Sequence, residues 1–147
     1  MSARLEGGCA CGTVRYALGD PYDTGWCHCR ICQKTSGAPA IAFTTARRDK
    51  FAWTAGEDQL QTYASSGFGH RRFCSRCGSL LAIEVAFQPD EIDVACASLD
   101  DPEAAPPAFH IFCKDAIGWA PIDDALPRFD EFRPNTRGLM PGQTSVE

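Results

Sequence analysis

The six positions Cys27-His28-Cys29-Arg30-Ile31-Cys32 carry three thiols, a density that points to metal ligation or thiol redox chemistry. Two further groups, Cys9-Ala10-Cys11-Gly12 and Cys74-Ser75-Arg76-Cys77-Gly78, bring seven of the nine cysteines into local clusters, while Cys96 and Cys113 stand alone. A Cys-x-x-Cys-Gly turn suits zinc. It brings two thiolates to one ion, its glycine permits a positive φ after the second ligand, and its backbone N–H groups can point at the sulfurs. One such turn supplies half of a tetrahedral structural site, so Cys74 and Cys77 need a partner pair, and Cys9 and Cys11 are the natural candidates. With that pairing made, Cys27, Cys29 and Cys32 remain as three protein ligands beside an open position, the arrangement of a catalytic zinc. Such an ion lowers the pKa of an incoming thiol or polarises an aldehyde carbonyl.

The composition supports metal over disulfides. The chain has 147 residues and 44% hydrophobic content, which suits one domain with a single core. A net charge of -5 and a pI near 5.1 disfavour nucleic acid as the main partner. The opening MSARLEGG has no apolar run to serve as a secretory signal, and no stretch is long and apolar enough to span a membrane, so the chain reads as soluble and cytoplasmic. In a reducing compartment dense cysteines favour metal, and an odd count fits a disulfide framework poorly.

The elements that must hold these thiols are short strands. In Thr13-Val14-Arg15-Tyr16-Ala17-Leu18 the apolar Val14, Tyr16 and Leu18 alternate, as in a half-buried strand, and Gly19-Asp20-Pro21 ends it. Similar runs cover 40–45, 51–54, 60–64, 70–74, 80–86, 91–97 and 108–113, with Pro89-Asp90 as a hairpin turn. The pattern predicts an all-β domain of folded-over sheets, with one short helix from Arg30 to about Thr35 closed by Ser36-Gly37. Residues 99–108 read as a surface loop, and Trp119, Ile122, Leu126 and Phe129 as docking an irregular tail onto the core.

The order GGCACG, CHCRICQKTSGAP, FCSRCGSLL, followed by HIFCKDAIGWAPIDDALPRF, resembles the glutathione-dependent formaldehyde-activating enzyme and centromere protein V family. The likeness runs from about Leu5 to Phe132, giving one zinc-binding domain over 5–132 and a loose tail over 133–147. It implies a β-tent of short antiparallel sheets stapled by two zinc ions, close to the domain of zinc-dependent methionine sulfoxide reductases. On the matching positions it implies that Cys9, Cys11, Cys74 and Cys77 hold the structural zinc, and that Cys27, Cys29 and Cys32 hold the catalytic one. The activity implied is the joining of glutathione to formaldehyde, classed as a carbon–sulfur lyase working in reverse, with a small-molecule thiol and aldehyde as partners.

Glutathione has two carboxylates, for which Arg47, Arg48, Lys50, Arg71 and Arg72 are candidate contacts; each could equally face water. His28 either completes the second zinc site or, more simply, hydrogen-bonds nearby or lines the cleft. His110 is either a proton carrier facing the site or a satisfied, partly buried histidine, and His70 carries no evident role. Cys96 and Cys113 read as small core residues, Gly37 and Pro39 as shaping the turn after the zinc loop, Phe43 and Trp53 as core, and Trp119 as a possible wall of the cleft. Two other readings stand beside the enzyme: a binding module stapled by zinc without catalysis, and a redox enzyme of the methionine sulfoxide reductase type using a cysteine outside the metal sites. The sequence carries no signal of oligomeric state.

Overall fold

In the computed structural model, which describes residues 4–133, ten strands form two sheets, and one α-helix connects two neighbouring strands of the larger sheet. The strands are β1 Arg4–Gly8, β2 Arg15–Gly19, β3 Tyr22–Cys27, β4 Ile41–Arg47, β5 Phe51–Ala55, β6 Leu60–Ala64, β7 Gly69–Cys74, β8 Leu80–Val85, β9 Glu91–Ala95 and β10 His110–Ile111, with α1 at Arg30–Ser36. The smaller sheet has the order β1-β2-β5, and the larger one runs β10-β3-β4-β9-β8-β7-β6. All neighbours are antiparallel except β10, which lies parallel to β3. Neither sheet closes into a barrel, and the architecture is the β-tent that the family resemblance implied.

The apolar positions in and just before β2 are buried as their spacing predicts, but Ala17 between them is buried too, so the strand is covered on both faces there. Val14, Tyr16 and Leu18 are almost wholly buried and pack with Leu81, Ile92 and Val94 of the larger sheet. Strand β4 sits between β3 and β9, and its residues Phe43 to Ala46 are all buried, as a central strand requires. Its two buried threonines keep their hydroxyls bonded, Thr44 to Thr24 and Thr45 donating to Asp93 at 2.8 Å. A second core, around Cys27, Cys32, Phe43, Ile83, Phe109 and Ile111, forms where β3 and β10 meet the helix.

Two strands escape the sequence pattern. Strand β1 ends in two glycines, and β3 carries a register shift between Tyr22 and Gly25 with Asp23 at positive φ, so neither shows clean alternation. Gly25 is required there: a Cβ would overlap the Phe109 ring. Strand β9 stops at Ala95 and passes into a 3-10 turn at Cys96–Ser98, and the run over 108–113 narrows to the two residues of β10. The segment 99–108 is a loop, but not wholly a surface one. Leu99 and Ala105 are buried in the first core, and Asp100 is bound by Arg15 in a bidentate pair. Phe129 docks on the second core, with its backbone bonded to His110 and Cys113, whereas Trp119 is 76% exposed. Of the tail expected over 133–147, residues 134–147 lie outside the described residues.

Candidate metal centres

The four cysteines Cys9, Cys11, Cys74 and Cys77 converge. Cys9 and Cys11 lie in the turn between β1 and β2; Cys74 ends β7, and Cys77 lies in the turn leading to β8. Their four Sγ atoms all lie within 4.8 Å of one another. Each turn is closed by its glycine: Gly12 N–H donates to Cys9 O and Gly78 N–H to Cys74 O, with φ of 81° and 79°. Backbone N–H groups of Val14 and Arg76 point at Cys9 and Cys74 Sγ, at 3.3 and 3.4 Å. Ser79 joins the two turns, accepting from Ala10 N–H at 3.0 Å and sitting 3.2 Å from Cys77 Sγ, where its hydroxyl holds that thiol down at about 5. The donor set fits zinc. Tetrahedral ligation at a Zn–S distance of about 2.3 Å needs sulfurs roughly 3.8 Å apart; the separations of Cys11 from Cys9 and Cys74 are 3.6 and 3.9 Å.

The second group, Cys27, Cys29 and Cys32, also lies within 4.8 Å sulfur to sulfur. Cys27 ends β3, hydrogen-bonded between β4 and β10, opposite Ile41 and Ile111. Cys29 caps α1, its Sγ accepting from Cys32 N–H at 3.3 Å, and Gly37 ends the helix at φ 76°. Hydrogen bonds from Cys27 and Cys32 hold the Cys29 thiol far below its ordinary range, while Cys27 is pushed well above it. The trio therefore shares its protons so that Cys29 ionises first. Three soft donors at this spacing fit a zinc ion as well, one ligand short of a closed site.

An apolar cavity of about 220 Å³ opens beside this trio, walled by Phe43, Phe68, Ile83, Val85, Phe112 and Phe132 together with Ser65, Ser66 and Arg71. Arg71 on β7 is buried. Its Nη2 lies 3.6 Å from Cys32 Sγ and its Nε donates to Ser65 Oγ at 3.2 Å. The other candidate cations lie elsewhere. Arg47 pairs with Asp49 on the surface, Arg48 and Arg72 both pair with Glu84, and Lys50 faces Asp20. The two guanidinium groups hold the Glu84 carboxyl below its ordinary range against the opposing effect of burial, so Arg48 and Arg72 are committed to that carboxylate.

The structure places His28 away from the sulfurs, its Nε2 2.9 Å from His110 Nδ1. His110 in turn contacts Asp124 through Nε2 and stacks on Trp26, which makes it the satisfied buried histidine. Neither histidine lines the cavity, and neither does Trp119. Cys96 is buried in the first core, where burial pushes its thiol up to about 12; Cys113 is half-buried and burial raises its thiol too. Neither has the low-pKa character of a redox nucleophile. Sequence reasoning passed over Gln33, which follows Cys32 on the helix and is buried. Its side-chain amide donates to His28 O at 2.7 Å and Asp115 O at 3.0 Å, tying the cysteine loop to the segment after β10. It also passed over the ring wall of Phe68, Phe112 and Phe132, which are far apart in the chain.

The fold is a β-tent carrying one four-sulfur and one three-sulfur donor set, each of which could hold a metal ion. Residues 4–115 match the family described as glutathione-dependent formaldehyde-activating enzyme, and the chain belongs to that family. A Halomonas elongata protein with the provisional name glutathione-dependent formaldehyde-activating enzyme is 28% identical over 127 residues, covering 81% of both chains. An uncharacterized lyase of Schizosaccharomyces pombe is 30% identical over 77 residues, 52% of this chain and 54% of its own. The crystal structure of a Rhodobacter sphaeroides protein superposes with a TM-score of 0.57 at 25% identity, covering 67% of this chain and 93% of that one. Among the described residues no helix is long and apolar enough to cross a membrane.

Proposed function

We propose that the protein is a zinc-dependent enzyme of carbon–sulfur lyase type, acting on the adduct of a thiol with formaldehyde or a related aldehyde, with glutathione as the reference thiol. In this reading Cys9, Cys11, Cys74 and Cys77 hold a structural zinc, and Cys27, Cys29 and Cys32 hold the zinc at which the thiol is accepted. The observation that carries the reading is the three-sulfur centre, one donor short of closure and facing a cavity. When bound there, zinc supplies Lewis acidity that favours the thiolate form of an incoming thiol.

The chain's own residues supply position and environment. The Cys32 N–H fixes Cys29 Sγ at the helix start, and Gln33 holds the loop that carries Cys27, His28 and Cys29. Arg71 places a positive charge against Cys32 Sγ, which offsets the negative charge of three thiolates around a divalent ion. The phenyl walls give the reacting carbon an apolar setting in which an uncharged aldehyde is favoured beside the thiol; in the reverse direction the C–S bond of the hemithioacetal breaks, the hydroxyl proton leaves and aldehyde and thiol are released, with no water consumed. Family membership and the names of the relatives support glutathione and formaldehyde as the first pair to test.

The test is calorimetric titration of glutathione into fully zinc-loaded protein. Saturable binding that disappears in Cys29→Ser supports a thiol-accepting centre and leads directly to assays with formaldehyde. Absence of saturable heat with glutathione and with simpler thiols leaves a zinc-stapled binding module instead.

A further inference from the structure

We infer that the three-cysteine centre takes thiols that carry a ring-sized apolar body and one acidic group a bond or two from the sulfur, in preference to a peptide thiol such as glutathione. This rests on the reading of that centre as thiol-accepting and names the substrate class it favours.

Size argues first. An apolar cavity of about 150 Å³ holds benzene. The 220 Å³ beside the trio therefore has room for one ring with a short substituent, and the remainder of any longer thiol extends out of its open side, away from the apolar walls. The wall chemistry argues in the same direction. Phe43, Phe68, Phe112 and Phe132 present rings, Ile83 and Val85 present branched aliphatics, and no carboxylate lines the cavity among the described residues. The ammonium group of glutathione would meet no countercharge there.

Arg71 fixes the acidic group and its place. It is the one Lys or Arg that lines the cavity among the described residues. Its Nε and Nη2 are engaged by Ser65 Oγ and Cys32 Sγ, whereas its buried Nη1 has no hydrogen-bond partner in the protein. A buried guanidinium with a free N–H favours a carboxylate acceptor. Nη1 belongs to the guanidinium whose Nη2 lies 3.6 Å from Cys32 Sγ, so an acid bound there sits on the trio's side of the cavity. An α-mercapto acid carries its carboxylate beside its sulfur and can offer both on that side, whereas the carboxylates of glutathione lie several bonds from its sulfur. A second acid has no cation in the cavity lining among the described residues, since Arg47, Arg48, Lys50 and Arg72 lie outside it, each beside a carboxylate.

Backbone strain marks the same wall. Phe112 is held at φ 56° and ψ 39°, a left-handed conformation that a bulky residue keeps only where its surroundings demand it. Its ring meets Phe132 edge-on, with centroids 5.0 Å apart.

Four probes titrated calorimetrically into the zinc-loaded full chain separate the contributions: 2-mercapto-2-phenylacetate (ring and acid), phenylmethanethiol (ring alone), mercaptoacetate (acid alone) and glutathione. The expected order places the first about tenfold or more tighter than each of the others, the effect of one buried charged hydrogen bond or one filled apolar pocket. Arg71→Gln should weaken 2-mercapto-2-phenylacetate about tenfold more than it weakens phenylmethanethiol, which loses only the charge that Arg71 sets against Cys32 Sγ, and Arg71→Lys should recover part of both losses. Should the Arg71 variants fail to fold, Phe132→Ala at the half-buried rim gives the second test. It should weaken both ring-bearing thiols and spare mercaptoacetate. Glutathione binding as tightly as 2-mercapto-2-phenylacetate, or equal affinity for all four, overturns the substrate class while the thiol-accepting centre stands. No saturable binding of any thiol overturns that centre as well.

Discussion

The two cysteine centres use the same ligand atoms in opposite settings. Cys9, Cys11, Cys74 and Cys77 come from two hairpin-like turns of the two sheets, with Cys11 and Cys77 exposed, and their four donors complete a tetrahedral set. Cys27, Cys29 and Cys32 come from one strand end and one helix start, largely buried, with one donor missing and a cavity where it would stand. On the proposed function, donor count and surroundings, not donor type, divide a fold-holding centre from a reactive one. Joining β1–β2 to β7–β8 closes a long loop of chain, whereas the trio is local in sequence and adds little to closure.

The largest effect is expected at the first centre. A structural zinc contributes folding free energy on the order of 10 kcal/mol, so Cys74→Ser should abolish the cooperative unfolding transition seen by circular dichroism in metal-buffered solution. Next comes Cys29→Ser, which should keep that transition, bind one zinc fewer by atomic absorption and lose thiol binding. If both variants unfold alike, the division between the centres is wrong.

The cysteine groups and most strands were legible because thiol spacing and period-two alternation are local signals; each of the eight runs in the sequence led to a strand. What was not legible depends on partners distant in the chain. Strand β3 is not among the runs that read as strands, since Asp23, Thr24 and Gly25 break any alternation, and only the Phe109 ring shows why Gly25 belongs there. Arg71 and Arg72 are neighbours on β7 with equal claims in sequence. The pairing with β8 sets Arg71 opposite Ile83, facing the cavity, and Arg72 opposite Ala82, where it meets Glu84. Arg47 and Arg48 were candidates by charge alone and are held by carboxylates that no local pattern identifies.

A subtler contrast concerns what holds each centre in place. Gln33 is buried and bonds two carbonyls on either side of the trio. Gln33→Leu keeps the volume and leaves both carbonyls unpaired, for a cost of about 1–3 kcal/mol. The urea midpoint should fall at unchanged slope, and thiol affinity should fall with it because the cysteine loop loosens. Thiol affinity unchanged in a destabilised variant would show that the loop is set by its backbone bonds alone, namely His28 N–H to Ile111 O and Gln33 N–H to Cys29 O.

The smallest effect is expected at Ser79, the counterpart of Gln33 at the other centre. Its hydroxyl accepts from Ala10 N–H and reaches Cys77 Sγ, so it stitches one turn to the other across the four sulfurs. Unlike Gln33 it is partly open to water, which replaces what the hydroxyl supplied. Ser79→Ala should therefore lower stability by only about 0.5–1.5 kcal/mol in the metal-loaded protein. With zinc bound, four sulfurs already fix the two turns, and the hydroxyl adds to a geometry that the metal sets. A chelator competition assay sharpens the point: zinc should leave the four-sulfur centre of Ser79→Ala faster than that of the parent, while thiol binding at the trio stays unchanged. A loss of thiol binding in this variant would mean that the two centres are coupled through the sheets, and the separation between holding the fold and accepting a thiol would fail at its most sensitive place.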